Sequence, residues 1–137
     1  MNPNVNAYKK NQINTASSEQ LVLMLYDGAR KFIKRAIISI QAGDMQEAHH
    51  NLIRSQNIVA QLMAGINYEA GEIAENLFQL YKFMHSRLIQ ANLKKDSQCA
   101  QEVLEMIETI RGAWAQIMAE GYSSATNNGY EKKFANY

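Results

Sequence analysis

Proline and cysteine are almost missing from this chain: Pro3 and Cys99 are the only examples of each. From residue 4 onward the strongest helix breaker does not occur, which favours long uninterrupted helices and an all-α fold. With one cysteine there can be no intrachain disulfide, so a disulfide-stapled secreted scaffold is excluded and a reducing cytoplasm fits best. Long apolar runs are lacking too. The longest, Leu21 to Tyr26, is far too short to cross a bilayer, and the first ten residues hold no apolar stretch of a cleavable signal, so no direct membrane insertion is expected. Nor is there an excess of either charge: 14 Lys plus Arg face 13 Asp plus Glu. That balance offers no broad electrostatic footprint for nucleic acid or an anionic membrane.

The 137 residues suffice for one domain with its own core, without metal or disulfide staples. Residues 1–16 are rich in Asn and Lys and have no sustained period, so they read as an irregular arm. Ser17, followed three residues later by Gln20, predicts a capping box and a first helix running to about Gln41. Its apolar stripe includes Leu21, Val22, Leu25, Tyr26, Ala29, Phe32, Ile33, Ala36, Ile37 and Ile40, while Leu23 falls on the polar side. Gly28 inside this helix predicts close approach of a neighbouring backbone. Gly43 and Asp44 supply a stop and a new N-cap, with Glu47 placed to complete a second capping box.

Down the second helix, Met45, Ala48, Leu52, Ser55, Val59, Leu62 and Ile66 alternate three and four apart, a seam suited to bundle packing. A loop from Gly65 to Gly71 leads to a third helix ending near Asn92, where Lys94 and Lys95 suit the negative end of a helix dipole. Asp96 can cap the fourth helix, whose seam is Ala100, Val103, Ile107, Ile110, Trp114 and Ile117, with Glu102, Glu105 and Glu108 outward. The short connections predict an antiparallel up-down-up-down four-helix bundle over residues 17–119. Residues 120–137 are too poor in aliphatics to offset the entropy of ordering them and read as a disordered tail.

The third helix is the exception to this regularity. Ile73, Ala74, Leu77, Tyr81, Met84, Leu88 and Ala91 form one core stripe, yet Phe78, Leu80, Phe83 and Ile89 fall off it on either side. A surface helix is normally polar there, so this one is either central in the bundle or keeps a groove for another polypeptide.

Catalytic chemistry is hard to find. Glu47 and His50 make one Glu-x-x-His pair, but a di-iron bundle needs a second, and Lys82 stands three residues before His85. No metal or cofactor is expected. A histidine phosphotransfer bundle using His50 is the alternative function, although Ile53 and Arg54 stand where the resembling His-x-Leu-Lys-Gly pattern has lysine and glycine. Arg30, Lys31, Lys34 and Arg35 form a basic patch on the first helix. With no aromatic expected on that face, it reads as a solvated surface or as a partner for outward Glu residues, not as a nucleic-acid site. Cys99, near a helix start and without a histidine neighbour, reads as a buried or half-buried structural thiol.

An ordered series of motifs carries a family resemblance. Tyr8, then Asn11-Gln12-Ile13-Asn14-Thr15-Ala16-Ser17, then Leu21-Val22-Leu23-Met24-Leu25-Tyr26-Asp27-Gly28-Ala29 resemble the start of the flagellin-specific export chaperones, the FliS family. Gly43-Asp44 with Ala48, Gly71-Glu72-Ile73-Ala74-Glu75-Asn76-Leu77 with Leu80-Tyr81, Leu88 with Ala91-Asn92, and Trp114 continue it across residues 7–118. Ser18 departs from a common proline, and Ala70 from the first of two common glycines.

The resemblance implies a cytoplasmic, non-enzymatic chaperone. In that family the cargo is the C-terminal segment of flagellin, disordered when free, which is kept from premature polymerisation and delivered to the flagellar type III export gate. Such a segment needs elongated apolar grooves to offset its ordering entropy. Ile53, Ala60 and Met63 with Phe78, Leu80 and Phe83 are the expected groove residues. Tyr8 and Ile13 would anchor the N-terminal arm as a cap over part of that surface, and a weak homodimer of the free protein is a further expected association.

Overall fold

The computed structural model describes residues 17–120. Four helices make up the bundle: α1 (Ser18–Gln41), α2 (Met45–Ala64), α3 (Glu72–Lys94) and α4 (Ser97–Ala119), with one 3₁₀ turn (Tyr68–Ala70) before α3. Each packs against its sequence neighbour, and α4 returns to pack on α1, closing the up-down-up-down, four-sided arrangement. The sides of the bundle are therefore α1/α2, α2/α3, α3/α4 and α4/α1. Of these, α3/α4 is the most thinly packed.

Local chemistry sets the helix ends. At α1 both halves of the predicted capping box form: Ser17 Oγ accepts from the Gln20 amide at 3.2 Å, and the Ser17 amide donates to Gln20 Oε1 at 2.9 Å. At α2 only half does. Asp44 accepts from the Glu47 amide at 3.1 Å, while the Glu47 carboxylate turns inward and accepts from Asn51 Nδ2 at 3.3 Å. Asn51 is almost wholly buried and competes successfully for that carboxylate.

Gly43 (φ 78°) and Gly71 (φ 73°) take left-handed conformations that most residues resist. α3 runs two residues beyond its expected end, to Lys94, and stops because Lys95 turns left-handed with φ 50°. The Lys95 ammonium then donates to the Asn92 carbonyl at 2.6 Å, the dipole-end contact expected from sequence. Asp96 caps α4 by accepting from the Gln98 amide at 2.9 Å.

The core follows the stripes. Every seam position expected in α4 is buried, together with Leu104, and so are Ala48, Leu52, Ser55, Val59 and Leu62 of α2. Met45, at the start of that seam, is 43% exposed instead; it is the first residue of α2, beside the loop from α1. Leu23, expected on the polar side, packs against the core from the α4-facing flank of α1. The Gly28 approach also differs from expectation. A Cβ there would lie 3.2 Å from Ile58 Cδ1, so the close neighbour is a side chain of α2 and not backbone. Cys99 is buried as expected; its thiol donates to Asp96 at 3.4 Å, and burial pushes its pKa up.

Candidate docking site on the third helix

Six residues of α3 are anchored in the core: Ile73, Ala74, Tyr81, Met84, Leu88 and Ala91 are buried. The central anchor is polar at its tip. The Tyr81 and Tyr26 hydroxyls meet at 2.5 Å across the bundle from α1, so neither buried hydroxyl is wasted. Burial pushes the Tyr81 pKa up to about 12, with the Tyr26 hydrogen bond pulling the other way. Trp114 meets Tyr26 edge-on at 6.4 Å and its indole donates to the Glu19 carbonyl at 2.8 Å. The Trp114 contacts tie α4 to α1, and the Tyr26–Tyr81 contact helps to set the rotation of α3 about its axis.

That rotation sends the surplus apolar residues to two different sides. Asn92 of α3 hydrogen-bonds His49 of α2 at 3.0 Å, which places Phe78, His85 and Ile89, at helical spacing from it, on the α2 flank. Arg87 bonds Glu102 of α4 at 2.5 Å, which places Leu80 and Phe83 on the α4 flank. Both residues of the second flank stand on the thinly packed α3/α4 side.

The six expected groove residues therefore do not form one groove. Ile53 (37% exposed), exposed Ala60 and half-buried Met63 lie on the α3-facing side of α2, and with half-buried Phe78 they belong to the α2/α3 side. Leu80, half-buried against the core, and Phe83, 46% exposed, belong to α3/α4. Residues outside the expected set complete both strips. On α2/α3 they are Ile89, 39% exposed, and Tyr68, whose ring lies 6.4 Å from that of Phe78. On α3/α4 they are Met106 and Ala113, partly buried on the Glu102 side of α4. Ile89 was legible as an off-stripe residue; Tyr68 lies in a loop with no period, and only its ring contact reveals it. Tyr8 and Ile13, the expected cap anchors, lie outside the described residues.

An open cleft of about 270 Å³, lined by none of the strip residues, lies at the end of the bundle where α1 starts and α4 finishes. Val22, Leu25, Leu62, Ile66, Leu77 and Trp114 are among its walls. His50 is exposed beside His49, ring centroids 6.0 Å apart, and no group of three or more His, Cys, Asp or Glu that could hold a metal occurs among the described residues. Among those residues no helix is long and apolar enough to cross a membrane.

What the geometry offers is extended apolar contact, and the sequence comparisons agree with a role in protein handling. Among the proteins similar to this chain are several named flagellar secretion chaperone FliS. The one from Bacillus subtilis is 39% identical over 110 residues, covering 80% of this chain and 82% of its own. That from Salmonella typhimurium is 42% identical over 105 residues (75% and 78%), and that from Vibrio cholerae 35% over 125 residues (88% and 92%). Residues 1–121 match the family described as flagellar protein FliS, so the chain belongs to this family of secretion chaperones, which are not enzymes.

Proposed function

We propose that this chaperone holds the C-terminal segment of flagellin in the cytoplasm, keeps it from polymerising, and presents it to the flagellar export gate. The observation that carries the reading is the placement of apolar residues on both flanks of one helix, α3, whose core stripe is already complete. Two strips on adjacent sides suit a cargo that forms helices as it wraps, since each strip takes one amphipathic segment. Fully burying a phenylalanine contributes about 1.5–3 kcal/mol. Phe83, nearly half exposed, leaves much of that for a partner.

Calorimetry with a flagellin C-terminal peptide tests this directly. Binding with a large negative heat-capacity change is expected, because coupled folding buries apolar surface on both partners. The substitution pair Leu80→Asp and Phe83→Asp should abolish it while helical content and the melting transition persist. Undiminished binding by that folded variant would remove the α3/α4 strip from the cargo site.

A further inference from the structure

The α1/α2 side, opposite α3/α4 in the bundle, carries a different kind of surface. Of the cations expected as a solvated patch, Arg30 does reach an outward glutamate, Glu108, at 4.0 Å. Lys31, Lys34, Arg35 and Arg54 enter no ion pair among the described residues. Three of them gather instead around an aromatic ring that sequence reading had assigned to the core. Lys31 Nζ lies 4.6 Å from the centroid of Phe32, Arg54 Cζ 5.4 Å and Arg35 Cζ 5.9 Å. The ring attracts each cation through its quadrupole, but it is neutral, and three like charges held this close repel one another. The arrangement is therefore short of negative charge.

Its outline is equally specific. Along the outer face of α1, Met24, Lys31 and Ile38 recur every seven residues, and the two apolar ones are 39% and 65% exposed. The strip is thus cationic in the middle and apolar at both ends, over roughly 21 Å of helix. Between Met24 and Lys31 the α1 ridge dips at Gly28, which has no side chain and faces Ile58 of α2.

We propose that this wall is a docking strip for an acidic amphipathic helix of a partner protein. Carboxylates at three- and four-residue spacing would meet Lys31, Arg35 and Arg54, and aliphatic residues beyond them would cover Met24 and Ile38. A single-stranded nucleic acid fits less well, because the only ring at the centre already has cations over it and is not free to stack a base. The strip shares no residue with the apolar strips of α3, so an acidic helix and an apolar cargo can be held together.

The test is fluorescence anisotropy of the full chain with a labelled model peptide of about 20 residues, Glu at three- and four-residue spacing beside a Leu stripe. Saturable binding that weakens with salt is expected. Arg35→Glu with Arg54→Glu should weaken it by about tenfold or more, whereas Lys82→Glu with Lys94→Glu, an equal change of net charge on α3, should shift it by less than about twofold. Phe32→Leu, which keeps every charge but removes the ring that gathers them, should weaken binding by about threefold. Arg35→Gln with Arg54→Gln provides the same reading if charge reversal disturbs folding, judged by circular dichroism. The proposal fails if both double variants weaken binding equally, if the native chain does not bind, or if a single-stranded oligonucleotide or phosphatidylglycerol vesicles bind more tightly than the peptide at the same ionic strength.

Discussion

α3 and α4 are both 23 residues long and lie side by side, yet they use their apolar residues differently. α4 buries Val103, Leu104, Ile107, Ile110, Trp114 and Ile117 and turns Glu105 and Glu108 outward, so nearly all its large aliphatics serve the fold. α3 buries a comparable stripe and then leaves Phe83 and Ile89 exposed on opposite flanks. The difference separates two uses of hydrophobicity: one stripe per helix is enough to hold a bundle, and what lies beyond it is available to a partner.

Substitutions can break or sharpen this contrast. The largest effect is expected on binding: Leu80→Asp with Phe83→Asp should reduce affinity for a flagellin C-terminal peptide by at least about a hundredfold, about 2.7 kcal/mol, by calorimetry. The truncation Leu88→Ala in the core of α3 should cost about 2–5 kcal/mol in urea unfolding, since the side chain is fully buried. By contrast, Phe83→Ala on the same helix should stay within about 1 kcal/mol of the parent. If the two truncations cost the same, Phe83 belongs to the fold and not to a docking strip.

A pH experiment probes the anchor that orients α3. Burial pushes the Tyr81 pKa in the fold up to about 12, whereas the unfolded group ionises near 10. Below the unfolded pKa its contribution is fully present. As pH rises through that value toward the folded one, the unfolded state loses a proton that the folded state keeps, so stability falls by up to about 1.4 kcal/mol per pH unit. The Tyr81→Phe variant should show a shallower decline than the parent over the same window, followed by urea unfolding at a series of pH values. The smallest expected change is in α4: Gly112 has nothing within 4 Å of the place a Cβ would take, so Gly112→Ala should stabilise by about 0.5–1 kcal/mol. A destabilisation there would mean that α4 has less spare surface than its burial pattern shows.

Helical periodicity exposed most of the architecture because it depends only on spacing along the chain. The α4 seam, the Ser17 capping box and the stop at Gly43 are all local, and each formed as spelled. The site was less legible. Phe78, Leu80 and Phe83 were visible as surplus, but which neighbour each one faces depends on the rotation of α3. Contacts distant in sequence set that rotation: Tyr26 with Tyr81, His49 with Asn92, and Arg87 with Glu102. Phe32 is the sharpest case. A period of three and four puts it at the edge of the α1 stripe, and only the arrival of Arg54 from α2 makes it the centre of a basic cluster.

The sequence by itself determined the helices, their order and their caps, and it carried the family, because propensity, periodicity and motif order reside in residues a few positions apart. Tertiary structure decided which apolar residues share a side, that Leu80 and Phe83 part from Ile53, Ala60, Met63 and Phe78, and that three cations meet on one ring. The physical reason is the same in each case. A helix specifies the angle between its own residues, but its rotation against a neighbour is fixed only when side chains from distant parts of the chain pack and bond.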